Sequence, residues 1–425
     1  MKKIKILWLS NVDLTNKSPN QSGTWIHSMY KAVTESGAVE VCANITTTSK
    51  GSYYSVVENG TAHHYVPNND MRPNSKPSSS AKEYVVSVIL ENVPDIIHVW
   101  GLELPWGLIM GDKRLADFKK LLEIQGIKSV CADSNYYWAG LSQDEFVSMR
   151  SLLQKIVPIR RLERTQKKYK EWQKVEKEIL GNIDNINTQS DWVRSVLPSI
   201  ADMSNKIIHK TGIILRDSFI KSAPWIEVHE ENEDPILFTT TSSLPYKGLH
   251  VTLKALSLLR IKYPTIKLYV AGMKSWNPNL IRGGYTKYIY NLVKELNLED
   301  AVVFLGNINE EEMKKYMYQA DVFVISSFVE SYCLALAEGL AIGVPTVASY
   351  STALTELINN GENGLLYPVG DYYICASKIS YILDNFEFAK KISDKSSTSY
   401  RKHRSNDNAV KMQLDTYQAI IRNCK

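Results

Sequence analysis

The chain has 425 residues, 44% of them hydrophobic and 22% charged, with a formal net charge of +5. That length exceeds what one hydrophobic core usually fills, so two domains are expected, and the composition excludes a disordered or fibrous chain. Cysteines at 42, 131, 333, 375 and 424 are odd in number and lack metal-ligand spacing, which argues against a disulfide framework and suits a reducing cytoplasm.

Lys3 to Ser10 alternates as a first strand, too short in its apolar run to be a signal-peptide core. A loop to Ser22-Gly23 follows, then a helix carrying Trp25, Met29 and Val33 and closed by Gly37. Strand, loop, helix is the opening unit of a Rossmann-like domain, and Gly23 stands either where backbone approaches a ligand or at a plain turn. Pro67 to Ser80, rich in Pro, Ser and Asn, reads as an exposed loop. Ile96 to Gly101 is a buried strand holding His98, either a core imidazole or a group on the acceptor side, and Leu121 to Gly126 is the next strand, with Gln125 near its end.

Lys155 to Glu178 carries nine Lys or Arg against four Glu, a local excess as large as that of the whole chain. Leu162, Tyr169, Trp172 and Ile179 recur through it at helical spacing. The result is a basic amphipathic helix, either docked by its apolar stripe or in peripheral contact with an anionic membrane. No nucleic-acid motif accompanies it. No apolar stretch approaches the roughly 20 residues of a membrane span, so a cytoplasmic chain is expected, at most peripheral at the inner face of the plasma membrane.

The crossover between domains falls near Ile214 to Asp234, where Pro224 and an acidic run lack core periodicity. Pro235 to Thr241 is a buried strand, and Pro245-Tyr246-Lys247-Gly248 opens a helix through Leu253, Leu256 and Leu259. Lys274 follows a strand ending at Ala271-Gly272. Val322 to Ile325 is a strand broken by Ser326-Ser327, Leu334 to Ala341 is a helix stopped by Gly343-Val344-Pro345, and Thr346 starts the next strand. A helix with Glu356 is expected over Ser351 to Asn360. The alternation of strands and helices predicts parallel sheets covered on both faces.

Glu330 and Glu338 are eight residues apart, a spacing that turns a helix by about 80° net, so two helical glutamates would not share a face. Glu330 therefore belongs in the loop, over the helix N-terminus, with Glu338 on the helix further along. Backbone N–H groups near Ser331 and Tyr332 would meet an anion between them. Carboxylates accept from vicinal hydroxyls, so a sugar, a diphosphate and a ribose in sequence would satisfy all three features: the outline of a nucleotide sugar.

The run Glu330-Ser331-Tyr332-Cys333-Leu334-Ala335-Leu336-Ala337-Glu338-Gly339, continuing to Pro345, resembles the signature of the family-four retaining glycosyltransferases of the GT-B fold. The likeness is most specific from about Pro235 to Tyr381 and includes the turn at Gly361 to Gly364 and the Pro368-x-Gly370-Asp371 segment. It implies two facing Rossmann-like doubly wound domains, over 1–215 for the acceptor and 216–400 for the nucleotide sugar, with a helix over 401–425 returning to the first.

It further implies that Glu330 contacts donor sugar hydroxyls, that Glu338 holds the ribose, and that Lys247 binds the pyrophosphate. An Arg that the family usually adds is absent, Thr241-Ser242-Ser243 standing there, with Lys274 and Arg216 as weak substitutes. Gln125 aligns with a His near the reacting centre, and a glutamine cannot titrate. No Asp-x-Asp metal motif occurs, so a metal-free reaction with no cofactor is expected: transfer of a hexosyl group with retention to a glycan or lipid-linked acceptor, as in bacterial surface-polysaccharide synthesis. A non-catalytic sugar-nucleotide binding protein and a GT-B epimerase or phosphorylase remain as alternatives. A dehydrogenase does not fit, since no G-x-G-x-x-G follows the first strand.

Overall fold

The computed structural model describes residues 3–15, 24–156, 162–229, 234–274 and 284–422. It divides into two units, one of 1–130, 168–216 and 404–425, the other of 131–167 and 217–403.

The first unit is built on an eight-stranded sheet: β1 (Ile4–Leu9), β2 (Val39–Thr48), β3 (Tyr54–Glu58), β4 (Thr61–Pro67), β5 (Ile96–Trp100), β6 (Lys119–Glu123), β7 (Asn185–Thr188) and β8 (Ile207–Lys210), in the order β3-β4-β2-β1-β5-β6-β7-β8. Every pairing is parallel except β3 with β4, which run antiparallel across Asn59-Gly60. The expected parallel sheet is present, with one antiparallel edge strand added where a two-residue Asn-Gly loop closes a hairpin. All five residues of β5 are buried, as expected of a central parallel strand covered on both faces. Helix α1 (Thr24–Glu35) buries Trp25, Met29 and Val33.

Helix α2 (Leu162–Asn182) carries the basic run from Leu162 onward, residues 157–161 of that run lying outside the described residues. Its aromatic edge is used inside the fold: Trp172 and Ile179 are buried, and the Trp172 indole donates to the Leu102 carbonyl at 2.9 Å. The Lys128 ammonium lies 4.7 Å from that ring's centre. This is the docked outcome, which leaves Lys168, Lys170, Lys174 and Lys177 exposed without an apolar face beside them.

The second unit holds a six-stranded, all-parallel sheet of β9 (Ile236–Thr240), β10 (Lys267–Ala271), β11 (Val302–Gly306), β12 (Val322–Ile325), β13 (Thr346–Ser349) and β14 (Leu365–Tyr367). Their order is β11-β10-β9-β12-β13-β14. The chain runs outward from β9 to one edge, then returns to β12 and runs to the other, so β9 and β12 flank the switch point of a doubly wound sheet. Helices α3 (Leu249–Leu259), α4 (Leu334–Ile342) and α5 (Phe386–His403) belong to this unit.

Residues 131–167, expected in the first domain, pack with the second. Ala139, Leu141 and Met149 share a core with Leu249, Leu253 and Tyr285, and the His250 ring bonds the Ala139 carbonyl at 3.0 Å. Tyr288 donates to Glu145 at 2.6 Å. The helix expected over Ser351 to Asn360 is instead a short 3₁₀ turn, Thr352–Glu356.

Residues 404–425 complete the first unit, where α6 (Asn406–Arg422) is tied at both ends. The Asn406 side chain accepts from Leu215 N and donates to Leu215 O, while Lys119 Nζ donates to the carbonyls of Ile420 and Ile421. Among the described residues no helix is long and apolar enough to cross a membrane.

Candidate functional site

Lys247 and Glu330 are 83 positions apart, yet each lies just beyond the carboxyl end of a strand at the switch point. Parallel pairing of Leu237 with Val322, Phe238 with Phe323 and Thr239 with Val324 delivers both following loops to the same sheet edge. A ligand is expected in the crevice outside such an edge.

After β9 the chain does not enter a helix directly. Pro245–Lys247 forms one 3₁₀ turn, Gly248 adopts φ +71°, and only then does α3 begin. A Cβ on Gly248 would lie 1.9 Å from the Ser326 carbonyl oxygen, so glycine is what lets this turn settle on the loop after β12. Phe328 N donates to Tyr246 O at 2.7 Å, and the hydroxyls of Thr252 and Ser326 bond at 2.6 Å. The two loops form one zipped surface.

On that surface Lys247 Nζ meets Glu330 Oε1 at 2.6 Å, and Ser327 Oγ donates to the same oxygen at 2.7 Å. The Lys247 side chain is 27% exposed and that of Glu330 11%. Burial alone would lower the ammonium's pKa, but the Glu330 carboxylate outweighs it, and with Cys333 nearby the net shift is upward. Lys247 is therefore a fixed positive charge at neutral pH, held on the Glu330 carboxylate.

The loop ends at Cys333, φ +81°, and α4 follows. Glu330 lies in the loop and Glu338 on α4, where it is 6% exposed. Tyr332 turns its ring inward, its hydroxyl 3.1 Å from that of Tyr400 on α5. The Ser242 hydroxyl in the loop after β9 is shielded from solvent and has no hydrogen-bond partner among the described residues. Lys274, beyond β10, is exposed, its Cγ 3.1 Å from where a Cβ of Gly306 would sit. Arg216 belongs to the first unit, and Gly23 lies outside the described residues.

Two acceptor-side candidates fare differently. Gln125 stands just past the carboxyl end of β6, beside Gly101 at the end of β5. His98 is fully buried, its Nδ1 2.8 Å from the Tyr417 hydroxyl and its Nε2 3.8 Å from Glu123, the placement of a core imidazole. Burial holds the imidazole well below its ordinary pKa. The same burial, only partly offset by bonds from Asn187 and Gln189, pushes the Glu123 carboxyl up to about 8.

Sequence reasoning missed the hydroxyls that fix the Glu330 loop. Ser349 and Ser351 both donate to the Ser327 carbonyl, at 2.5 and 2.8 Å, and Thr352 bonds the Glu330 backbone. The available signal was that β12 and β13, neighbours in the sheet, each run into hydroxyl residues. Among the described residues no cluster of three His, Cys, Asp or Glu could hold a metal ion.

A two-unit chain of doubly wound sheets, with a Lys–Glu pair at the switch point of the second, has the architecture of the GT-B class. A sucrose-phosphate synthase from Thermosynechococcus elongatus aligns over 99% of this chain and 100% of its own, with TM-score 0.71 at 18% identity. Anabaena HepE, solved in complex with UDP-glucose, aligns over 98% and 99%, with TM-score 0.66 at 14% identity. Residues 222–398 match the family described as glycosyl transferases group 1. A putative colanic acid biosynthesis glycosyltransferase of Salmonella typhimurium is 27% identical over 140 residues, 32% of either chain. The chain spans about half or less of the length of the first curated relatives it matches.

Proposed function

We propose that this chain is a retaining glycosyltransferase that moves a hexosyl group from a nucleotide sugar to a glycan or lipid-linked acceptor in surface-polysaccharide synthesis. The observation that carries the reading is the Lys247–Glu330 pair at the carboxyl ends of β9 and β12, in the segment that matches the family. Relatives named for colanic acid and amylovoran synthesis support the polysaccharide setting, and the bound UDP-glucose of HepE supports the donor class.

In this reading the diphosphate displaces Glu330 from Lys247, the nucleotide ribose lies against Glu338, and Glu330 accepts from donor sugar hydroxyls. As the glycosidic bond breaks, negative charge grows on the leaving phosphate and the Lys247 ammonium stabilises it, aided by N–H groups near Ser331 and Tyr332. The acceptor hydroxyl attacks the anomeric carbon from the face the phosphate leaves, and a phosphate oxygen takes its proton, so configuration is retained without a protein nucleophile. No divalent ion is invoked. Any membrane contact through α2 would be electrostatic, resting on its exposed lysines.

The test begins with UDP-, GDP- and ADP-sugars in a thermal-shift screen, since a ligand of the native state raises its melting temperature. Turnover with the donor so identified should survive EDTA. Glu338→Ala should weaken binding of the free nucleoside diphosphate, a lost charge-assisted hydrogen bond costing about 1.5–3 kcal/mol, while Glu330→Ala should cut turnover more than that binding. Abolition by EDTA with rescue by magnesium, or the reverse ranking of the two variants in calorimetry, would overturn this assignment.

A further inference from the structure

Glu330 sits on a loop, and a loop carboxylate that must meet a sugar within a few tenths of an ångström needs something to hold it. The holding group is unusual. Thr352 Oγ1 accepts from Glu330 N at 2.8 Å and donates to Glu330 O at 2.9 Å, closing a two-bond clamp on the backbone of the one residue. A hydroxyl has one proton and two lone pairs, so one group serves both directions. Ala353 N adds a longer contact to the same carbonyl at 3.4 Å.

Thr352 holds this clamp from a backbone that threonine avoids. Its φ is +37°, in the region where a branched Cβ crowds the chain and where glycine is at ease. Of seven non-glycine residues with positive φ among those described, three are the tolerant asparagine, while Cys333 and Thr352 lie at the end of the Glu330 loop and against it. Strain that persists beside a binding group marks a position fixed for function and not for stability. The side chain of Glu330 repeats the pattern: Ser327 and Lys247 both bond Oε1, and no bond to Oε2 is described.

We propose that Thr352 is the positioning residue for Glu330, presenting its carboxylate to the sugar hydroxyls of the donor through the backbone clamp. The inference rests on the donor reading above and adds to it a residue that touches neither substrate nor reacting atoms. Glycine at 352 would relieve the backbone but lose the clamp; valine would keep the shape and lose the hydroxyl; serine would keep the hydroxyl.

The experiment measures release of nucleoside diphosphate from UDP-glucose, GDP-mannose and ADP-glucose, with water as acceptor, and calorimetric binding of UDP, GDP and ADP. Thr352→Val and Thr352→Gly should each lose at least tenfold in kcat, with the nucleoside diphosphate Kd within twofold of the unmodified protein. Thr352→Ser should stay within threefold in both, and Thr352→Gly should melt no lower than the unmodified protein. Retention of kcat within twofold in both Val and Gly variants, or a Ser variant as impaired as Val, overturns the proposal, as does a loss of Kd equal to the loss of kcat. If the unmodified protein releases nucleoside diphosphate from none of the donors, the donor reading fails first and this inference with it.

Discussion

Replacing Lys247 by alanine separates catalysis from stability, because the two draw on different states of the same contact. In the unliganded protein the ammonium meets Glu330 at 2.6 Å with its side chain 27% exposed. A pair that solvent reaches contributes about 1 kcal/mol or less, which would move the melting temperature of a unit this size by about 2–4 °C. In the proposed transfer the same ammonium would face a phosphate gaining charge, where loss of one preorganised donor costs about 3 kcal/mol. That is roughly a hundredfold in rate. Lys247→Ala should therefore lose about a hundredfold in single-turnover release of nucleoside diphosphate while melting within a few degrees of the unmodified protein. Ser242→Arg, placing a cation where an unpartnered hydroxyl now lies in the loop after β9, should recover part of the loss. A fall of less than threefold in Lys247→Ala would show that Lys274 or backbone N–H groups neutralise the diphosphate, and the role assigned to Lys247 would be withdrawn.

Gly248→Ala should cost well over 2 kcal/mol and abolish turnover, because its Cβ would meet a backbone oxygen at 1.9 Å that no rotamer can move. Gly361→Ala, with φ +84° but open space around it, should cost only about 1–2 kcal/mol of backbone strain; equal costs in urea unfolding would refute the close-approach argument. Glu123 gives a pH dependence. Its folded pKa of about 8 lies above the ordinary carboxylate value, so between about pH 4.5 and 8 the folded chain keeps a proton that the unfolded chain has released, and stability falls as pH rises through that window. Glu123→Gln should remove this slope, leaving the variant more stable than the unmodified protein at pH 8 by an amount on the order of a few kcal/mol and nearer to it at pH 5. Parallel stability curves for the two proteins would count against it.

Much of the second unit could be read from sequence because parallel strands buried on both faces are continuous apolar runs, and Val322–Ile325 is of that kind. Glu330 in a loop and Glu338 on a helix followed from the turn angle and the stop at Gly343. What sequence did not disclose is non-local. The Thr352 clamp joins residues 22 apart, and its backbone at φ +37° is also why the expected helix over 351–360 shrinks to one 3₁₀ turn. The segment 131–167 carries no compositional mark of the core it joins, since its anchors Ala139, Leu141 and Met149 are ordinary apolar residues. The Asn59-Gly60 pair is a local hairpin signal, and it adds one antiparallel edge strand to an otherwise parallel sheet.

The tie between α6 and the first sheet has a consequence for how the chain is made. Residues 404–425 leave the ribosome after the whole of the second unit, yet the Tyr417 hydroxyl is the partner of His98, and Gln413 Oε1 accepts from Asn187 at 3.2 Å. Until α6 arrives, these polar groups of β5 and β7 face a gap where a helix should lie. The first unit is thus completed only after the second has been made, and until then its open sheet is exposed to misassembly.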